Sequence, residues 1–345
     1  MSELPDSLRE PMPEQDAAAQ RRKKWLGIAT ALFMAVLLAV AIRHVLSEVK
    51  FEDVWAYLQA LPYTRLLQAV GITALGYWVL TLYDVSALIY LKKRVPYRTT
   101  AFAAACGYAF SNNIGWAVLS GAGVRLRTYG AAGLTPADVA RVVVFSTSTF
   151  TLGISFTGAV GVLVGPHPVA AMLKVPELLV QGLAVATLLV LASLCVITGV
   201  TRKPIKLWRW SIQLPSPLGV ISQISIGSLE IVLAAGVLWS LLPLEHGIGF
   251  TAYLGIYCAA LVVAIFSHVP GGIGVFESII ILGLSDDIPA GQLLGAMLAY
   301  RFVYYILPLV LAGIAIAIWE IRHHTGRIGR AADRLRGHGE PPSAP

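Results

Sequence analysis

"GYAFSNNIGWAVLSGAGVRLRTYG", residues 107–130, begins as a membrane span would and then departs from one. Adjacent asparagines (Asn112, Asn113), five glycines and two arginines (Arg125, Arg127) stand where a plain span stays apolar. Lipid offers no hydrogen-bond partner to broken backbone, so such a run survives at membrane depth only buried in protein or lining a wet cavity. The stretch predicts a segment that dips into the bilayer and returns, carrying polar groups at its turn.

The rest of the chain supplies the membrane. Of 345 residues 57% are hydrophobic and 13% charged, too few polar groups to cover a soluble domain of this length. Runs such as "WLGIATALFMAVLLAVAI" (25–42) and "LLVQGLAVATLLVLASLCVITGV" (178–200) are long enough to cross a ~30 Å hydrocarbon layer as helices, and they lack the alternation of barrel strands. The fold class expected is an all-α polytopic integral membrane protein. Spans are predicted at 25–46, 64–91, 138–164, 176–199, 218–242 and 291–319. A polar cytoplasmic segment (1–24) precedes the membrane domain (25–320), and a basic cytoplasmic tail (321–345) follows it.

The formal charge of +7 is not a nucleic-acid footprint, because it is sorted along the chain. Connections 1–24, 92–98, 120–137, 200–217 and 320–345 hold twenty Lys and Arg, and the alternate connections hold four. By the positive-inside rule both termini face the cytoplasm. That works only if two further apolar segments, 101–119 and 252–284, do not cross. Both are therefore expected to be re-entrant hairpins, broken at "SNNIG" (111–115) and "SHVPGGIG" (267–274).

The hairpins resemble each other, "AFSNNIG" (109–115) against "IFSHVPGGIG" (265–274). Before each, a carboxylate interrupts an apolar span (Asp84, Glu230). After each, an arginine does so (Arg141, Arg301). Halves of about 25–164 and 176–319 thus read as two copies of one pattern. Each copy has an odd number of crossings, so the second is upside down: an inverted-topology repeat, with binding sites expected at the broken helices.

Five ionisable groups, Asp84, Arg141, Glu230, Glu277 and Arg301, fall within or beside apolar runs. Each costs about 2.5–3.5 kcal/mol at a helix centre, so they must pair with one another or line a polar cavity. Arg125 reads either as positive-inside anchoring or as a clamp for phosphate, since guanidinium presents a planar fork to phosphate oxygens. Ser111, Asn112 and Asn113 supply hydrogen bonds to an anion or cap a half-helix. In "VPGGIGVFE" (269–277), Gly271 and Gly272 end one half-helix, and Glu277 caps the next or meets an ammonium group. Tyr304 stands beside Arg301 at the boundary between cavity and lipid. Cys106, Cys195 and Cys258 lie in apolar runs and carry no disulfide signal, and the histidines show no metal spacing. No Walker loop or nucleophile–base pair is visible, so no enzyme, cofactor or metal is expected.

"GYAFSNNIG…LSGAGVRLRTY", "GLTPADVARVVVFSTSTFTLG" and "VPGGIGVFES…AYRFVYYILPL" together resemble the membrane domain of the lysylphosphatidylglycerol synthase/flippase family, the multiple peptide resistance factors. The resemblance runs over roughly 25–320. It implies a bacterial inner-membrane flippase for aminoacylated phosphatidylglycerol, linked to antimicrobial peptide resistance. It also implies that the acid of the second span and the first arginine after the amide motif, here Asp84 and Arg125, matter. The family's synthase domain is not expected here, since the tail after Arg322 is short. The partners expected are a phospholipid with an anionic or aminoacylated head group, a separate aminoacyl-lipid synthase and a second copy of the chain. A non-transporting scaffold for a lipid-modifying enzyme, and a carrier of polyprenyl-linked sugars, stand as alternatives.

Overall fold

A computed structural model describes residues 51–113, 117–200, 205–207, 210–212, 215–243 and 247–337. The expected first span (25–46) and the polar segment before it lie outside the described residues, as do the three residues between the helices of the first hairpin.

Within those bounds the molecule is helical. α1 (Phe51–Ala60) leads into α2 (Tyr63–Tyr90), followed by α3 (Tyr97–Asn113), α4 (Ala117–Ala131) and α5 (Pro136–Val164). A short α6 (Pro166–Leu173) precedes α7 (Glu177–Val200) and a small antiparallel ribbon, β1 (Ile205–Leu207) with β2 (Trp210–Ile212). The second half holds α8 (Pro217–Leu241), α9 (Phe250–Phe266), α10 (Val275–Leu284) and α11 (Ala290–Tyr300). A π-helical segment (Arg301–Ile306) joins α11 to α12 (Leu307–Gly337), so helix continues well into the expected tail.

Five rods are long and apolar enough to cross a membrane: α2, α5, α7, α8 and the stretch Ala290–Arg322. They fall at five of the six predicted spans, and the chain is an all-α polytopic membrane protein. The outer face of α7 is a field of exposed leucine and valine (Leu178, Leu189, Val190, Val196), the surface a lipid-facing helix presents.

The two odd segments are pairs of short helices. α3 and α4 have 17 and 15 residues, α9 and α10 have 17 and 10. At ~1.5 Å per residue none exceeds about 26 Å, short of a ~30 Å hydrocarbon layer. The second pair breaks at the expected place, with His268, Gly271, Gly272 and Gly274 all at positive φ. The first pair runs further than the sequence suggested. Its hairpin was expected to end at 119, leaving Arg125 in a cytoplasmic connection; α4 continues to Ala131 and carries Arg125 in its middle. What stops α4 is the pair of bonds from Gly133 and Leu134 N–H to Gly130 and Tyr129 carbonyls, with Gly133 at φ 91°. Two arginines in helical sequence do not end a helix.

α5 begins at once. Thr135 caps it, accepting from Asp138 N–H, while Asp138 Oδ2 accepts from Thr135 N–H and Pro136 fills the first turn. Lys93 Nζ donates to the same Asp138 oxygen at 2.9 Å, stapling the α2–α3 turn to α5. Deeper in, α5 crosses α8 backbone to backbone: a Cβ on Gly153 would stand 2.2 Å from the Gly227 carbonyl carbon. Small residues at such crossings let membrane helices pack where no hydrophobic drive separates them from lipid. α2 also packs along α8. At the end of α8 the free carbonyls of Leu241 and Leu242 accept from the Tyr57 hydroxyl and from Arg65 Nη1 (the latter at 2.7 Å).

Candidate functional site: a cavity between two carboxylates

Asp84 lies toward the end of α2 and is fully buried. A lone carboxylate there would be prohibitive, and the fold answers it with donors from three other helices. Arg125 of α4 grips it two-pronged, Nε to Oδ2 at 2.8 Å and Nη2 to Oδ1 at 3.0 Å. Tyr129, one turn further along α4, donates to Oδ2 at 2.8 Å. Ser146 of α5 donates to Oδ1 at 3.2 Å, and the Tyr108 hydroxyl of α3 lies 3.5 Å from the same oxygen. The Tyr108 ring lies under the guanidinium, 4.4 Å from its carbon, adding a cation–π contact. The pair is charge-neutral and hydrogen-bonded on both oxygens, the condition under which buried ions are tolerated.

Arg125 is 3% exposed, yet it forms part of a cavity wall. Its third nitrogen, Nη1, meets no acceptor among the described residues and lies over Gly107. A Cβ there would come within 2.9 Å of Nη1, so glycine at 107 leaves the guanidinium its room.

Glu230 of α8 lines the same cavity and is also buried, but its surroundings differ. Oε1 accepts from the Tyr304 hydroxyl at 2.7 Å, and the Tyr83 hydroxyl lies 3.5 Å from Oε2. Among the described residues no Lys, Arg or His lies within ion-pair distance of it. Tyr83 packs edge-on against Tyr108, so two aromatic rings separate the Glu230 carboxylate from the Arg125 guanidinium.

Beside the cavity the two hairpins meet. Asn113, at the end of α3, donates to the Tyr305 carbonyl at 3.1 Å and to the Ala109 carbonyl at 2.8 Å. The Tyr305 carbonyl belongs to the π segment, where Pro308 removes an N–H from the helix ladder and the pattern widens. Arg301 sits at the start of that segment. Its Nε donates to Glu277 Oε1 at 2.7 Å, its Nη1 donates to the Gly271 carbonyl at 2.6 Å, and its guanidinium lies over the Tyr305 ring. Glu277 also caps α10, accepting from Gly274 N–H at 2.7 Å.

The cavity measures about 380 Å³, within the range of sites that take small molecules or head groups. Of the side chains and glycines expected at a site, Ser111, Asn112, Arg125 and Glu230 border it, as do Gly271, Gly272 and Tyr304. Asp84 stands behind Arg125. Asn113, Glu277 and Arg301 fasten the hairpin tips instead of facing the space. Arg141 stands apart: it lies in the second turn of α5, 63% exposed at its side chain and 3.7 Å from Asp138 Oδ1. The Thr135 cap turns Asp138 inward and leaves Arg141 on the outer face. The sequence reading missed Tyr83, Tyr108, Tyr129, Ser146 and His268. Tyr129 carries one legible signal, its spacing of four from Arg125 on one helix. Among the described residues no group of His, Cys, Asp or Glu comes together to hold a metal ion.

Known proteins are similar in sequence to this chain. An uncharacterised protein of Synechocystis, slr0712, is 34% identical over 302 residues, 86% of this chain and 93% of that one. The inner membrane protein YbhN of Escherichia coli is 26% identical over 85% of this chain and 92% of its own length. A phosphatidylglycerol lysyltransferase of Staphylococcus haemolyticus is 37% identical over 89 residues, a quarter of this chain and 11% of that longer protein. No family model matches the chain.

Proposed function

This chain belongs to the family of the Synechocystis protein slr0712, and from that premise we propose that it moves a phospholipid with a charged head group between the leaflets of a bacterial inner membrane. The observation that carries the reading is Arg125: a guanidinium in the wall of a 380 Å³ cavity, held in place by a buried carboxylate, with one nitrogen that meets no acceptor among the described residues. The fork itself is taken by Asp84, and the remaining N–H edge at Nη1 can donate a charge-assisted hydrogen bond to one phosphate oxygen. The likeness of a quarter of the chain to phosphatidylglycerol lysyltransferases supports a phospholipid substrate, and the name of YbhN supports the inner membrane.

In this reading Arg125 engages the lipid phosphate, helped by Ser111 and Asn112, and Glu230 faces an amino group on an aminoacylated head group. Arg301 and Glu277 hold a second station behind the hairpin tips. Acyl chains stay in lipid while the head group passes. The hairpins are re-entrant from opposite leaflets, the halves form an inverted repeat, and both termini are cytoplasmic. The repeated order of a helix with an acid, a two-helix hairpin and a helix with an arginine supports this (α2 to α5, then α8 to α11 and its π extension). A separate synthase supplies the aminoacylated lipid.

The test is reconstitution into vesicles holding fluorescent phosphatidylglycerol or lysyl-phosphatidylglycerol. Arg125→Ala is expected to slow head-group translocation by ~10–100-fold, the worth of one charged contact, while Arg127→Ala leaves the rate unchanged. Wild-type protein no faster than empty vesicles would reject transport in favour of the scaffold.

A further inference from the structure

The carboxylates buried among the described helices are not treated alike. Asp84 has Arg125, Asp138 has Lys93 and Glu277 has Arg301, each within 2.9 Å. Among the described residues Glu230 has hydroxyls only. The described side chains packed around it offer no cation. α2 brings Tyr77, Tyr83 and the already paired Asp84; α5 has only Asp138 and Arg141, both at its far start and Asp138 paired with Lys93. α7 has Cys195 beyond its Glu177, and α9 has Tyr253, Tyr257 and Cys258. α11 and the π segment bring Tyr300, Tyr304, Tyr305 and Arg301, whose guanidinium is committed to Glu277 and Gly271. α10 brings Glu277 itself. His268 borders the cavity from the hairpin tip, with Nδ1 at 2.7 Å from the Phe266 carbonyl.

A carboxylate 4% exposed on a cavity wall, with no counter-charge among the described residues, has room for one unit of positive charge. Intramembrane acids in this condition mark ion and proton paths, since an uncompensated charge there costs several kcal/mol. We propose that Glu230 is a single-cation exchange site, occupied by a proton when the cavity is empty and by the ammonium of a head group when it is filled, so that lipid movement is exchanged against protons. The step balances. The Glu230 carboxylic acid releases H⁺ to the water on the side to which the cavity is open, and its carboxylate then pairs with the incoming R–NH₃⁺. On the other side the ammonium leaves as a proton from water returns. Asp84 cannot serve, because Arg125 already fills its one-charge vacancy. This rests on the flippase reading and adds to it a driving force.

The experiment uses the full chain in vesicles of phosphatidylethanolamine and phosphatidylglycerol, with fluorescent lysyl-phosphatidylglycerol as probe and the voltage clamped by valinomycin and potassium. With an acidic lumen, wild type is expected to enrich the probe in the lumenal leaflet by about tenfold per pH unit, the ratio that one-for-one exchange imposes. Glu230→Gln keeps an acceptor for Tyr304 and should give a ratio near one at every gradient. Arg127→Gln, outside the cavity, should follow wild type. A wild-type ratio indifferent to the gradient, or a Glu230→Gln ratio that follows it, overturns proton exchange and leaves the flippase standing. No translocation by wild type overturns both. Should Glu230→Gln not fold, Tyr304→Phe decides: it moves the pH midpoint of exchange if Glu230 is the site, and a midpoint left in place rejects it.

Discussion

Asp84 and Glu230 occupy matching positions, each an acid in a long helix just ahead of a broken hairpin, and the fold handles them oppositely. Asp84 is saturated, with a two-pronged arginine and hydroxyls from three helices on two oxygens. Glu230 is held by two tyrosines and otherwise faces open space. The same step of the pattern therefore builds a fixed post in one half and a vacancy in the other. The difference follows from the hairpins. α4 runs past its turn far enough to swing Arg125 back onto α2. α10 ends after ten residues, and the arginine of that half, Arg301, is turned to the hairpin tip.

The largest effect expected from breaking this contrast is Asp84→Ala, which strands Arg125 in a buried site. Thermal unfolding in detergent should show a loss of about 3–5 kcal/mol, partly restored by adding Arg125→Ala. Glu230→Ala removes no ion-pair partner and leaves one close hydroxyl unsatisfied, for a loss of about 1–3 kcal/mol. Should the two cost the same, the contrast between post and vacancy fails. Gly107→Ala sharpens the account of Arg125: the added methyl pushes on Nη1, so translocation should drop while the melting temperature shifts little. Smallest is Arg127→Ala. Its pair with Glu320 is exposed, 62% on the arginine side, and its loss should cost about 0–1 kcal/mol.

Much of this was legible in the sequence because lipid imposes simple rules. Five spans stood out by length and apolarity, and both hairpins by Asn, Gly and Pro where a span would be greasy. Charge counting left one matter open. Arg125 reads either as positive-inside anchoring or as a phosphate clamp, and nothing along "VRLRTYG" says that the first of its two arginines turns inward and the second outward. That is decided by which face of α4 meets α2. Tyr108, Tyr129 and Ser146 come from three helices and converge only once the bundle has packed, so no spacing announces them together. Arg141 misled in the reverse direction: an arginine in an apolar run looked intramembrane, while the Thr135 cap fixes it near a helix start with its side chain out.

The central claim, that Arg125 offers a lipid head group its free edge, is tested most directly by native mass spectrometry of protein purified in mild detergent. Wild-type protein should carry a bound phospholipid that Arg125→Ala loses and Arg127→Ala keeps. An identical lipid complement on all three would contradict it.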